Sequence, residues 1–143
     1  MFTFGRDHEI KCALHHASNP TEARLLVRIV NAIHDYKEGQ LPAEAVVDSL
    51  RDGLINGASG TWESAGSWLL KLNRAEPSST ALWLELVAST VAQVRFRVAC
   101  HLLDMPEDLA RQIHVRLSQD RSRRVRDQVQ ENWNLIQNPG KYS

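Results

Sequence analysis

Apolar residues recur every three or four positions along most of this chain, which is the spacing of one face of an α-helix. The clearest case covers about residues 21–38, with an apolar stripe formed by Leu25, Leu26, Ile29, Val30 and Ile33. At its start, Asn19, Pro20 and Glu22 offer an N-cap, a first-turn proline and a capping-box glutamate. Gly39 offers a C-terminal stop. The pattern therefore predicts a helix over about 21–38.

The same spacing predicts seven further helices, and the prolines mark the gaps between them. A helix interior excludes proline because proline lacks an N–H and clashes with the preceding turn. Four prolines, at 20, 42, 77 and 106, fall between apolar-periodic segments. The other predicted helices cover about residues 6–17, 42–56, 60–73, 79–88, 91–103, 106–118 and 121–136. No segment alternates apolar and polar residues with β-branched enrichment, so we predict an all-α fold of about eight helices.

The apolar positions of a helix pair also recur along the chain, at a period of 31 or 32 residues. The three aligned sets are Leu50, Leu54, Trp62, Gly66 and Leu70; Leu82, Leu86, Val94, Val98 and Leu102; and Ile113, Leu117, Val125, Val129 and Trp133. Two helices per period are typical of an α-solenoid, in which each pair buries its apolar face against the next. We therefore expect stacked antiparallel helix pairs, with an unaligned pair at the N-terminus.

The stretch LSQDRSRRVRDQVQENW, residues 117–133, resembles the HEAT repeat, in which a turn aspartate precedes a Val-Arg pair early in the second helix. Asp120 and Arg126 occupy those positions, and Arg95 keeps the arginine one unit earlier, where Ser89 replaces the aspartate. The resemblance covers residues 79–136 best, 42–73 less well and 1–38 least. It implies a right-handed HEAT-like superhelix, and the length of 143 residues predicts a single domain over residues 1–143 with a tail at 137–143. It also implies a hydrogen-bonded ladder of Arg95, Asp120 and Arg126 between repeats.

From the composition we expect a soluble protein of the cytoplasm. Hydrophobic residues make up 43% of the 143 positions, and the formal net charge is zero. Residues 1–90 carry a net charge of −3, and residues 91–143 carry +3. Two cysteines suit a reducing compartment, and neither a signal peptide nor an apolar run of membrane-spanning length is evident. We expect no membrane association.

The sequence offers little that points to catalysis or to a metal. It has no GxSxG, HExxH or phosphate-binding glycine loop. His8, Cys12 and His16 recur every four residues, and an i, i+4 His–Cys pair can bind zinc. However, two helical turns separate the histidines by about 12 Å, so all three cannot share one ion. We predict a non-enzymatic protein with no metal and no cofactor.

Two charged surfaces are candidate binding sites. Glu44, Asp48 and Asp52 form an acidic stripe on the third helix, with Arg51 beside it and Glu63 further along the chain. Such a stripe suits a protein partner with a basic surface. The arginines at 121, 123, 124 and 126 could instead meet phosphate, but acidic residues interleave with them, so nucleic acid is the less favoured partner. Trp62 and Trp83 are candidate aromatic anchors for a protein partner, and core packing is the alternative for Trp83.

These observations favour a cytoplasmic protein-binding module. Within that class we expect an immunity or antitoxin role, in which a compact helical domain neutralises a basic, nuclease-like toxin by occlusion. The alternatives are a nucleic-acid-binding HEAT-like protein and an adaptor subunit of a larger assembly.

Overall fold

The computed structural model describes residues 4–141 and is built from α-helices. The eight helices are α1 (Arg6–His16), α2 (Pro20–Lys37), α3 (Ala43–Asn56), α4 (Thr61–Ala75), α5 (Ala81–Val87), α6 (Ala92–Cys100), α7 (Glu107–Leu117) and α8 (Arg123–Gln137). Short 3₁₀ turns occupy Pro77–Thr80, Leu102–Asp104 and Pro139–Lys141. Between residues 4 and 141 there is no β-strand, so the predicted all-α class with about eight helices is confirmed.

The helix ends show why the sequence breaks where it does. The Asn19 side chain accepts a hydrogen bond from the Glu22 backbone N–H at 3.0 Å, and Pro20 is the first residue of α2. After α2, Gly39 takes a φ of +77°, a left-handed conformation that side chains disfavour. At the start of α8, the Ser122 hydroxyl caps the Val125 N–H. These local signals place the helix ends within a few residues of the predicted ones.

Two predicted boundaries differ from the structure near the middle of the chain. A helix was predicted over 79–88, but residues 77–80 form a 3₁₀ turn and α5 begins at Ala81. A second was predicted over 91–103, but α6 ends at Cys100 and a 3₁₀ turn follows at Leu102–Asp104. A 3₁₀ turn keeps apolar residues at a spacing close to that of an α-helix, so periodicity alone does not separate the two.

The helices form two compact units, residues 1–79 and residues 80–143, called here the N-terminal and C-terminal units. In the N-terminal unit, α1, α2, α3 and α4 pack in succession, and α2 also contacts α4. In the C-terminal unit, α5 packs on α6 and α7, and α8 packs on α6 and α7. In the C-terminal unit, the first helices of the two predicted pairs, α5 and α7, therefore contact each other, as do the second helices, α6 and α8. The HEAT-like superhelix and the single domain over 1–143 stay predictions.

The repeated apolar positions supply much of both cores. All five positions from Leu82 to Leu102 are at most 3% exposed, as are their first four counterparts in α7 and α8. In the N-terminal unit, Leu50 and Leu54 are fully buried, whereas Trp62 and Leu70 are half-buried. Trp133 is half-buried as well, with its ring stacked on His114 at 4.4 Å. Burial of these side chains supplies the main driving force for folding.

Among the described residues, no helix combines the length and the apolar character that a bilayer span requires.

Candidate functional site

The predicted acidic stripe lies along α3, and the structure pairs two of its three carboxylates with arginines. Asp48 accepts from Arg51 on the same helix at 2.6 Å, and Asp52 accepts from Arg28 of α2, also at 2.6 Å. The sequence predicts only Arg51 as a basic residue near the stripe. The packing of α2 on α3 brings a second arginine, Arg28, next to it. Glu44, at the first turn of α3, is exposed. The stripe is thus less negative than its sequence indicates.

Glu63 lies on a different side of the N-terminal unit from the stripe. It lines a groove whose floor includes Leu26 and Val30 of α2. Arg28, which donates to Asp52, is two residues from Leu26 and two residues from Val30 along α2. Because two residues turn an α-helix by about 200°, Arg28 lies on nearly the opposite face of α2 from these two residues. The stripe therefore lies toward the α2 surface that faces away from the groove. The structure keeps Glu44, Asp48 and Asp52 together and separates Glu63 from them.

The groove has a volume of about 530 Å³, within the usual range of ligand sites. Two helices form its walls and α2 forms its floor. The lining residues are Glu9, Cys12, Ala13 and His16 of α1; Leu26 and Val30 of α2; and Gly60, Glu63, Ser64, Ser67 and Trp68 at the start of α4. The spacing of the α1 and α4 residues places each set on one helix face over about two turns.

The floor of the groove is apolar and its margins are polar. Ala13, Leu26 and Val30 are buried and form a cluster against which Trp68 packs. Glu9 and Glu63 contribute carboxyl groups, and Glu63 accepts a hydrogen bond from Ser59 at 3.1 Å. Among the described residues that line the groove, none is lysine or arginine. An apolar floor with acidic margins is complementary to an apolar group carrying positive charge.

The two carboxylates lie toward opposite ends of the groove. A three-residue linker joins α1 to α2, so the end of α1 lies beside the start of α2. The Glu22 carboxylate at the start of α2 accepts from the Ala58 N–H at 2.7 Å, which brings the start of α4 to the same place. His16 and Glu63 therefore share one end, and Glu9, two turns back along α1, lies toward the other.

The histidines and the cysteine of α1 form two close pairs. Cys12 Sγ lies 3.5 Å from His8 Nε2, and His15 and His16 stack edge to face at 5.2 Å. Among residues 4–141, no group of three His, Cys, Asp or Glu side chains is arranged to hold a metal ion. His16 and Cys12 instead line the groove.

The tryptophans predicted to contact a partner differ in exposure. Trp62 is half-buried at the start of α4. Trp83 is fully buried, 5.4 Å from the His101 ring, so the interpretation of Trp83 as a surface anchor is wrong. Its position at the edge of the apolar stripe left both interpretations open, and the packing of α5 on α6 and α7 decided between them.

The predicted ladder residues meet in the C-terminal unit. The Arg95 guanidinium donates to both carboxylate oxygens of Asp120, at 2.7 and 3.1 Å, and the two side chains are 8% and 6% exposed. Arg95 and Arg126 each also donate to the backbone carbonyl six residues earlier, at Ser89 and Asp120. The hydrogen bond from Arg95 lowers the pKa of the Asp120 carboxyl, aided by the Ser122 N–H. This pair joins α6 to the turn before α8.

The arginine-rich end of α8 is mixed in charge. Arg124 stacks over the Phe96 ring at 3.8 Å, and Arg123 pairs with Asp127 at 3.5 Å. Asp127 and Glu131 line the same shallow surface as these arginines. A phosphate backbone would meet carboxylates there as well as guanidinium groups.

No known family, curated protein or solved structure matches this chain.

Sequence reasoning missed most of the groove, because α1 and α4 are distant in the chain and are brought together only by packing on α2. Glu63 is a predicted binding residue, but the prediction groups it with the acidic stripe on α3. A signal was present in the spacing of Glu9, Cys12, Ala13 and His16, which puts an acid, a thiol, a small residue and an imidazole on one face of α1.

Proposed function

We propose that this protein is a non-enzymatic binding module that holds a basic segment of a protein partner in the groove between α1 and α4. The observation that carries this proposal is the concave, apolar floor with Glu9 and Glu63 at its margins and no basic residue in its lining. A lysine or arginine can lay its aliphatic stem on the floor while its charged head meets a carboxylate.

The α3 stripe has a separate role in this proposal. Its carboxylates are exposed or arginine-paired, so they contribute to long-range attraction more than to the final contact. The finer proposal is an immunity role, in which the partner is a basic, nuclease-like toxin whose active site is occluded when bound. The cytoplasm is the proposed location, since Cys12 and Cys100 are thiols.

The test starts with a pull-down from the native host to identify the partner, followed by association and dissociation kinetics with purified proteins. Reversing both groove carboxylates, Glu9→Lys with Glu63→Lys, should slow association about tenfold at low salt and also speed dissociation. Reversing Glu44 and Asp48 to Lys should slow association while leaving dissociation nearly unchanged. Salt at about 1 M, where the screening length is roughly 3 Å, should remove most of both association effects.

A matched control carries the same change in charge elsewhere. Glu85 and Asp104 are exposed residues of the C-terminal unit, and their reversal to Lys should change neither rate by more than about twofold. All variants must keep the wild-type helical circular dichroism spectrum. A partner that is a nucleic acid, or groove reversals that leave both rates unchanged, would overturn the proposal and favour the Arg124 surface.

A further inference from the structure

The walls of the groove limit what shape of segment fits it. The lining residues of α1 extend from Glu9 to His16, and those of α4 from Gly60 to Trp68. At about 1.5 Å per residue these walls are roughly 10–12 Å long, which is two turns of a helix. Two α-helical walls over an apolar floor are the general setting in which an amphipathic helix docks with anchors at i, i+3, i+4 and i+7.

The α4 wall is formed largely by small side chains. Three of the five lining residues on this wall are small, namely Gly60, Ser64 and Ser67, and the other two are Glu63 and Trp68. A Cβ placed on Gly60 would have no heavy atom within 4 Å, so this end of the wall is open. Small residues along one wall let a second helical backbone approach closely, and the half-buried Trp68 packs against the floor.

The positions of the two carboxylates indicate where basic residues would lie along a helix docked in the groove. Glu9 and Glu63 lie toward opposite ends of the groove, and the apolar floor lies between them. On a docked helix of two turns, residues i and i+7 lie toward opposite ends of one face, with i+3 and i+4 between them.

We propose that the groove binds a two-turn amphipathic helix that carries basic residues at i and i+7 and apolar residues at i+3 and i+4. The apolar pair contacts Leu26, Val30 and Trp68. The two basic residues meet Glu9 at one end and Glu63 at the other. This inference rests on the proposed function, because it names the kind of basic segment that the groove holds.

The test uses synthetic 18-residue alanine-rich helical peptides and the full chain, with affinity measured by titration calorimetry. The matching peptide has Lys at i and i+7 and Leu at i+3 and i+4. A control of identical composition moves both lysines by two positions, which turns them about 200° away from the leucines. The matching peptide should bind at least about tenfold more tightly than the control. Its binding should shift the indole N–H resonance of Trp68 and leave that of Trp133 in place.

A charge-swap experiment tests the two ends separately. Glu63→Lys should weaken the matching peptide about tenfold, and replacing one peptide lysine, but not the other, by glutamate should restore most of that loss. Glu9→Lys should be rescued at the opposite peptide position. Glu85→Lys is the control and should leave peptide affinity unchanged.

The outcomes separate this inference from the proposed function. If both lysine peptides bind equally well, or if either lysine rescues Glu63→Lys, the helical register is wrong while binding of a basic segment stands. If neither peptide binds but the groove reversals still weaken the natural partner, the docked segment is not a helix of this pattern. If the reversals also leave the natural partner unaffected, both proposals fail.

Discussion

The buried ion pair between Arg95 and Asp120 allows a quantitative prediction about stability. Arg95→Ala removes two hydrogen bonds to the Asp120 carboxylate and one to the Ser89 carbonyl. The carboxylate would keep the Ser122 N–H, at 2.8 Å, in a site where its side chain is 6% exposed. Removing one partner of a buried ion pair costs about 3–5 kcal/mol, because the other charge stays desolvated. We therefore expect Arg95→Ala to lower the free energy of unfolding by that amount.

The assay is urea unfolding followed by circular dichroism for Arg95→Ala, Asp120→Ala and the double variant. Since the double variant leaves no buried charge uncompensated, it should be no less stable than the worse single variant. Arg123→Ala is the matched control: its pair with Asp127 is 85% and 70% exposed, so its loss should cost less than about 1 kcal/mol. The reasoning is refuted if Arg95→Ala costs no more than this control, or if the two single effects simply add.

Two further predictions concern single side chains. Arg126→Ala should cost about 1 kcal/mol in urea unfolding, less than Arg95→Ala, because Arg126 contacts backbone carbonyls and Asp120 keeps its ion pair with Arg95; an equal cost would contradict this. Burial first, and then the charges of Lys37 and Arg6, lower the pKa of His34 from its ordinary 6.5. The unfolded chain therefore binds the proton more readily, so the stability of the wild type should be complete above about pH 6.5 and fall as pH drops toward the lowered folded-state pKa. His34→Gln should show a smaller loss of thermal midpoint between pH 7.5 and 5.5, and an identical loss in both proteins would count against the assignment.

The sequence alone determined most of the secondary structure, because the signals for it are local. Periodicity, an Asn19 cap, a Pro20 first turn and a Gly39 stop act over a few residues, so α2 could be predicted nearly as it is. Apolar periodicity also identified core positions, whereas the repeat itself stays a prediction. Val98 and Val129, which are 31 residues apart, are both fully buried.

What only the tertiary structure decided depends on which helices meet. Trp83 lay at the edge of a stripe, and its complete burial followed from the packing around α5. Asp52 seemed to belong to a stripe of like charges until α2 brought Arg28 to it. Glu9 and Glu63, 54 positions apart in the chain, became the two ends of one groove because α1 and α4 both pack on α2. Local propensity acts through neighbours in sequence, whereas a binding surface depends on neighbours in space, and a single sequence does not specify those directly.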